Sequence, residues 1–318
     1  MFAKKNGRKK QRDMERKTRD DYRNFGKAYY HFNLERLEGR NIFTRPEDYR
    51  IGMATVALLT LKYNVQIFAF ELLPNHAHIV LYSDGPTCLE MFAYIKRRLS
   101  KMLADKGEAP LPENYGFRLT PIEDKETLII QILYTVRNHY EKNFCTPDTY
   151  EWGTGYLYFS GISNSIRGQK VSTMSKAEVR RLTGSKEELP GEWEIHSELG
   201  VLPRNFVRSD KVMQLFSSAK QYMTRLVKEY EAMVKIATEL GETVDFSEEE
   251  VQDIVNSYLR STYPGRLFKS LTQEEKIKSA VQVNDRLGLT PRQLSKALRM
   301  SELGISQAIR AKDYGIKK

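Results

Sequence analysis

The sequence predicts an α+β fold in which an antiparallel sheet with helices on one face precedes a region made only of helices. Three observations carry that prediction. Strand-like and helix-periodic segments alternate as β-α-β-β-α-β up to Asp124, with one more helix after them. A Pro74-Asn75 turn separates the second and third strand segments and leaves almost no connection between them. From Ser209 onward only helical periodicity appears. With 318 residues, 40% hydrophobic and 11% aromatic, the chain can bury a sizeable core, and wholesale disorder is excluded.

Taken in order, Gly26–Arg36 alternates as a strand. Arg45–Leu61 opens on Pro46 and Glu47 and carries Ile51, Ala54, Leu58 and Leu61 at helical spacing. Asn64–Leu73 is apolar and β-prone, and His76–Tyr82 follows it as a third strand. Thr87–Asp105 is an amphipathic helix, with Leu89, Phe92, Leu99 and Leu103 on one face and Lys96, Arg97 and Lys101 elsewhere. Tyr115–Asp124 is the fourth strand. Lys125–Lys142 is a helix with Leu128, Ile129, Ile132, Val136 and Tyr140 inward. This order is the split βαβ, or ferredoxin-like, arrangement, in which strands one and three are central. His76–Tyr82 is therefore expected in mid-sheet, and the helix after strand four can cross the open face above it.

The flanks differ in character. Residues 1–24 hold ten basic and four acidic side chains, a net +6 of the chain's total +10, and read as a basic flexible tail. Residues 162–208 are rich in Ser, Gly, Lys, Arg and Pro and read as a linker-like connection with one short helix at Lys176–Leu182. Residues 209–318 form the helical region. Ser209–Leu240 is expected as one long helix, and Ser247 with Glu250 has capping-box spacing. Leu289–Lys312 reads as helix, turn, helix, with Leu294, Leu298, Leu303, Ile305 and Ile309 inward and Arg310 and Lys312 late in the second helix. It is a candidate helix-turn-helix DNA reader.

Composition narrows the class. A surplus of 51 Lys and Arg over 41 Asp and Glu suits a polyanionic partner. Two cysteines, Cys88 and Cys145, make no disulfide framework and lack zinc-type spacing. No apolar run reaches membrane-spanning length, and no signal-peptide core follows the basic start, so the expectation is a cytoplasmic protein with no membrane partner.

Two local patterns carry chemistry. In His76-Ala77-His78, residues i and i+2 of a strand share a face, so two imidazoles stand side by side as half of a divalent-metal site. Tyr134 and Asn138, at i and i+4, share a helical face; the Asn138 carbonyl is a hard ligand for Mg²⁺ or Mn²⁺, and the Tyr134 phenol is a nucleophile. Each pattern also has a structural reading, as core or solvated residues. Tyr140 and Tyr150 are rival nucleophiles. Lys96, Arg97, Arg98 and Lys101 form a basic stretch that is either solvated or placed against a nucleic-acid backbone. Tyr29, Tyr30 and Phe32 either stack bases or fill the two faces of the sheet.

LLPNHAHIVLY (Leu72–Tyr82) resembles the MPNHxHLLL segment of the HUH single-tyrosine transposases, above all their REP-associated branch. LYTVRNHYEKNF (Leu133–Phe144) is similar to that branch's YIHRNPVKAGL segment, and YEWGTGYLYFSG (Tyr150–Gly161) to its Y-x-W-S-S-Y-x-x-Y segment. The resemblance covers residues 25–161. It implies an HUH domain with His76, His78 and Asn138 as ligands of a divalent metal (Mg²⁺ or Mn²⁺) and Tyr134 as the nucleophile. It further implies cleavage of single-stranded or hairpin DNA through a 5′-phosphotyrosine intermediate, with rejoining, in DNA transposition. Lys96, Arg97, Lys101, Arg310 and Lys312 are the candidate DNA contacts, and monomer and homodimer both fit. Two departures stand out: the family's Asn-Pro is Asn138-His139 here, and its Trp-Ser-Ser is Trp152-Gly153-Thr154. The competing readings are a catalytically retired nucleic-acid-binding protein on the same scaffold and a metal-dependent phosphodiesterase that uses water.

Overall fold

The computed structural model describes residues 19–138 and 149–313, apart from 229, 241–243, 245, 265 and 267. The expected element order is present: β1 (Ala28–Leu34), α1 (Pro46–Lys62), β2 (Gln66–Leu73), β3 (His76–Ser83), α2 (Gly85–Asp105), β4 (Phe117–Ile122) and α3 (Lys125–Arg137). The sheet is antiparallel in the order β2-β3-β1-β4, so β3 and β1 are central, as split βαβ topology requires.

Alternation sorts the side chains onto two unlike faces. Tyr30, Phe32 and Leu34 of β1 lie with Ala77, Ile79 and Leu81 of β3 on one face, all buried. Helices α1 and α2 cover that face: Phe92 of α2 stacks on Phe117 at 4.6 Å, and Phe117 stacks on Phe32 at 4.7 Å. In α1 the close approach demands a glycine, because a Cβ on Gly52 would lie 2.7 Å from a Leu72 methyl and 2.8 Å from the Phe43 ring. The opposite face carries His31 and Asn33 of β1, His76 and His78 of β3, and Glu71 of β2, every one buried. Helix α3 lies over β2 and β3 on this side.

Helix α3 is buried almost all round, from Leu128 to Arg137, beyond the single apolar stripe its periodicity predicts. The reason is a second layer. Arg137 Nη1 donates to the Leu226 carbonyl at 2.9 Å, and Arg225 pairs with Glu126, so a later helix closes over its outer side. The expected extension of α3 to Lys142, with Tyr140, runs beyond the described residues after Asn138, and Cys145 lies outside them too.

Two expectations about the connecting region are corrected. Residues 162–208 are not a loose linker. They form β5 (Gln169–Lys170), α4 (Lys176–Thr183), β6 (Glu194–His196) and β7 (Gly200–Val201), a small three-stranded sheet whose α4 and β7 pack on α1. Arg98 of α2 ties α4 down, donating to the Thr183 carbonyl at 2.8 Å. Nor is Ser209–Leu240 one helix; α5 (Ser209–Met213) is separate from α6 (Ala219–Lys228), and α7 (Tyr230–Leu240) follows across residue 229, which lies outside the described residues. The break after α5 has a local cause: Ser218 Oγ accepts from the Gln221 amide at 3.1 Å and the Gln221 side chain accepts from the Ser217 amide at 2.6 Å, a new N-terminus written into the chain.

The chain forms two compact units, Met1–Leu226 and Val227–Lys318. The second contains α8 (Glu248–Thr262), α9 (Gln273–Leu287), α10 (Pro291–Leu298) and α11 (Glu302–Asp313), around a core that includes Val251, Val255, Ala280, Val283, Leu294, Leu298 and Ile305. The Ser247–Glu250 capping box opens α8 as expected, and Thr272 and Thr290 cap α9 and α10 in the same way. One inward assignment fails. Leu303 is 67% exposed, because it lies two residues, about 200° of helix, from the buried Ile305.

Candidate active site on the histidine face

The site is assembled by two strands and one helix. His76 and His78 project from the same face of β3, with ring centroids 4.9 Å apart. Register then adds neighbours from both flanking strands, since Glu71 of β2 and Asn33 of β1 sit directly across from His78. Helix α3 contributes Gln131, Tyr134, Thr135 and Asn138, a set at i, i+3, i+4 and i+7 that shares one face and is turned to the histidines.

The contacts form a chain. The Gln131 Oε1 accepts from His31 Nδ1. His31 Nε2 lies 2.9 Å from His78 Nδ1, and His78 Nε2 lies 3.1 Å from the Asn138 amide nitrogen. One proton arrangement satisfies all three links. Oε1 of Gln131 only accepts, so His31 carries its proton on Nδ1 and offers Nε2 as an acceptor. His78 then donates from Nδ1, and its Nε2 holds a lone pair, to which Asn138 Nδ2 donates. His76 is set the same way: its Nδ1 is 2.8 Å from Asn75 Oδ1, which leaves the lone pair on Nε2. Tyr134 is 4% exposed, its ring centroid 5.5 Å from His78 and 6.0 Å from His31.

The predicted residues are thus brought together: buried His76, His78 and Tyr134 share one cluster with the half-buried Asn138. Among the described residues, no group of three or more His, Cys, Asp or Glu side chains is arranged to hold a metal ion. His31 and Gln131 were not anticipated. A signal existed in AYYHFNL, whose alternation puts Tyr29, His31 and Asn33 on one face, but which β3 residues that face meets is a matter of register, and register is not local.

The rival Tyr150 is engaged elsewhere. Its hydroxyl donates to the Leu72 carbonyl at 2.7 Å, on a segment that lies along the outer edge of β2. Trp152 accepts there from the Leu72 amide at 2.9 Å, and Thr154 Oγ1 accepts from the Phe70 amide at 3.1 Å. The departure Gly153-Thr154 suits this packing. A Cβ on Gly153 would sit 3.2 Å from the Phe70 carbonyl, and Thr154 supplies a hydroxyl. Tyr158 is also fixed to this edge, donating to the Phe68 carbonyl, and burial pushes its phenol well above the ordinary value.

Within the first unit, the candidate DNA contacts lie across the sheet from this cluster. Lys96, Arg97 and Lys101 are on α2, which covers the other face of the sheet. Lys96 donates to the Glu113 carbonyl at 2.5 Å, Lys101 pairs with Asp105 at 2.7 Å, and Arg97 is exposed with its guanidinium 5.6 Å from the Tyr94 ring. In the second unit Arg310 is exposed and Lys312 pairs with Asp285. On β1, Tyr30 and Phe32 are buried beneath the helices, whereas Tyr29 is half-buried against Phe68 at 5.1 Å and Tyr82 at 5.2 Å. His139, in the Asn138-His139 departure, lies outside the described residues.

No protein-family model matches the chain, and no curated protein matches it significantly. Among solved structures, a REP-associated tyrosine transposase bound to a REP hairpin is similar at 12% identity and a TM-score of 0.36, over 54% of this chain and 96% of that one. A likeness of that size is no evidence of what this chain does. Among the described residues, no helix is long and apolar enough to cross a membrane.

Proposed function

We propose that the chain is a metal-dependent enzyme that nicks and rejoins single-stranded or hairpin DNA, with Tyr134 as nucleophile and His76, His78 and Asn138 as metal ligands, serving DNA transposition. The observation that carries this reading is the convergence of the Tyr134 ring of α3 and the amide of Asn138, its C-cap, on His78 of β3, at 5.5 Å and 3.1 Å. The three motif resemblances support it independently. The donor set fits a divalent ion. His76 and His78 hold their protons on Nδ1 and so present Nε2 lone pairs, and Asn138, with its amide turned over, offers a carbonyl oxygen beside His78. Bound there, Mg²⁺ or Mn²⁺ draws charge from the scissile phosphate.

The protein's own part is nucleophilic. The Tyr134 oxygen bonds to phosphorus as the bond to the 3′ oxygen breaks; the phenolic proton ends on that oxygen, which leaves as a 3′-hydroxyl. The 5′ phosphate stays on the tyrosine. Attack by a 3′-hydroxyl reverses the step, so the phosphodiester is conserved for rejoining. Burial of Tyr134 among imidazoles keeps competing water from the linkage.

The test is denaturing electrophoresis of the full chain incubated with Mn²⁺ and 3′-labelled single-stranded hairpins taken from the flanks of its own gene. A slower, label-bearing protein band that disappears in Tyr134→Phe is expected. Tight binding indifferent to Mn²⁺ and without a band would instead indicate the retired binder, and cleavage that survives Tyr134→Phe a water-using phosphodiesterase.

A further inference from the structure

The residue behind His78 has the form of a tautomer lock. His31 is fully buried on β1, between the Gln131 carbonyl oxygen at its Nδ1 and the His78 ring at its Nε2, 2.9 Å away. With the Gln131 oxygen turned toward it, the proton of this imidazole is placed by its two neighbours. Gln131 accepts, so His31 must donate to it; its other nitrogen must then accept, and only the Nδ1–H form of His78 can donate there. That form is the one whose Nε2, on the side of Asn138, is unprotonated.

We propose that His31 is a positioning residue of this site: it holds His78 in the Nδ1–H tautomer and fixes its ring plane, so that Nε2 is presented as a ligand, while Gln131 sets the sense of the relay. No change of charge is involved. The purpose of the lock rests on the metal-centre reading above, and its geometry does not. Ligating histidines commonly lean on such an acceptor, and its loss lowers metal affinity about 10- to 100-fold.

The experiment uses the full chain, labelled with ¹⁵N-histidine; its five histidines keep the long-range ¹H–¹⁵N spectrum simple, and His78 is assigned by its absence in His78→Asn. Without metal, His78 is expected as the Nδ1–H tautomer in wild type and mainly as Nε2–H in His31→Phe. His31→Gln, whose carbonyl can accept from Nδ1–H, is expected to restore the wild-type pattern and guards against a variant that merely fails to fold. In parallel, Co²⁺ titration followed by its visible absorption should show affinity reduced about 10- to 100-fold in His31→Phe and largely recovered in His31→Gln. An Nε2–H signal for His78 in wild type, or His31→Phe binding Co²⁺ as wild type does, overturns the inference. Wild type that takes no Co²⁺ but shows Nδ1–H at His78 overturns the metal-centre reading and leaves the lock standing.

Discussion

Asn138 can serve the cluster in two ways, according to how its amide is turned. With Nδ2 toward His78 it donates to the ring; turned over, it puts an oxygen beside the same lone pair. The expected outcome is that Asn138→Asp, which has oxygens only, retains or tightens Mn²⁺ binding, whereas Asn138→Leu weakens it by more than the roughly 10- to 100-fold typical of losing a group behind a ligand. Isothermal titration of the two variants decides this, and equal affinities would remove Asn138 from the ligand set. Single-residue geometry is also where the sequence was most informative. The pairs His76/His78 and Tyr134/Asn138 follow from the repeats of a strand and a helix, which are local. His31 reaches His78 only through the pairing of β1 with β3, so no spacing within the chain announces it.

Whole elements were legible where capping and periodicity agree, and lost where a small local device overrides them. The Ser247, Thr272 and Thr290 caps mark true helix starts, but the cap at Ser218 also cuts a pattern that periodicity alone carries from Ser209 to Leu240. The polar stretch 162–208 gave no strong period because its strands are two or three residues long. The first helix offers a test at this scale. Burial works against the Asp48 carboxylate, but Lys106 at 2.8 Å and the Thr44 and Arg45 amides at 3.0 and 3.1 Å outweigh it, holding its pKa below the usual carboxylate value. A depressed acid stabilises the fold above its unfolded pKa, about 3.9, and that contribution fades as pH falls through the lower folded value. Asp48→Asn leaves the Lys106 ammonium only the exposed Glu108 carboxylate, 3.2 Å away, as a counter-charge. It should cost about 1–3 kcal/mol near pH 7, read from urea midpoints, with the gap to wild type narrowing below about pH 4. A gap that stays constant with pH would mean that the loss is one of packing.

At the level of the whole molecule, the two units have separate cores, and the histidine cluster belongs wholly to the first. Leu294 is fully buried in the second, so Leu294→Ala should destabilise that unit by about 2–5 kcal/mol through lost burial and a residual cavity. Hydrogen exchange measured by mass spectrometry should then speed up in α8 to α11 while β1 and β3 keep their protection, and the Tyr134 adduct should still form. Loss of protection in β1 and β3 as well would show that the first unit does not hold its structure by itself. The basic surplus was plain from composition, but its use was not: Lys101 is paired with Asp105 and Lys96 is bonded to the Glu113 carbonyl, and a count of charges does not reveal which are already engaged.

The two margins of the sheet are finished differently. Along β2 the segment from Tyr150 to Tyr158 takes up backbone groups, as with Leu72 and Phe70, but among the described residues no strand pairs with the outer side of β4, and an exposed row of amides would invite another chain to add itself there. The amide of Leu119 points outward and donates to the Tyr22 hydroxyl at 3.2 Å. Two residues on, the next outward position is Pro121, which has no amide to offer. One phenol and one proline thus take two outward positions of this margin out of reach of a second chain. The consequence is colloidal: replacing both Tyr22 and Pro121 is expected to raise the tendency of this strand to template intermolecular sheet, at a place far from the histidine cluster.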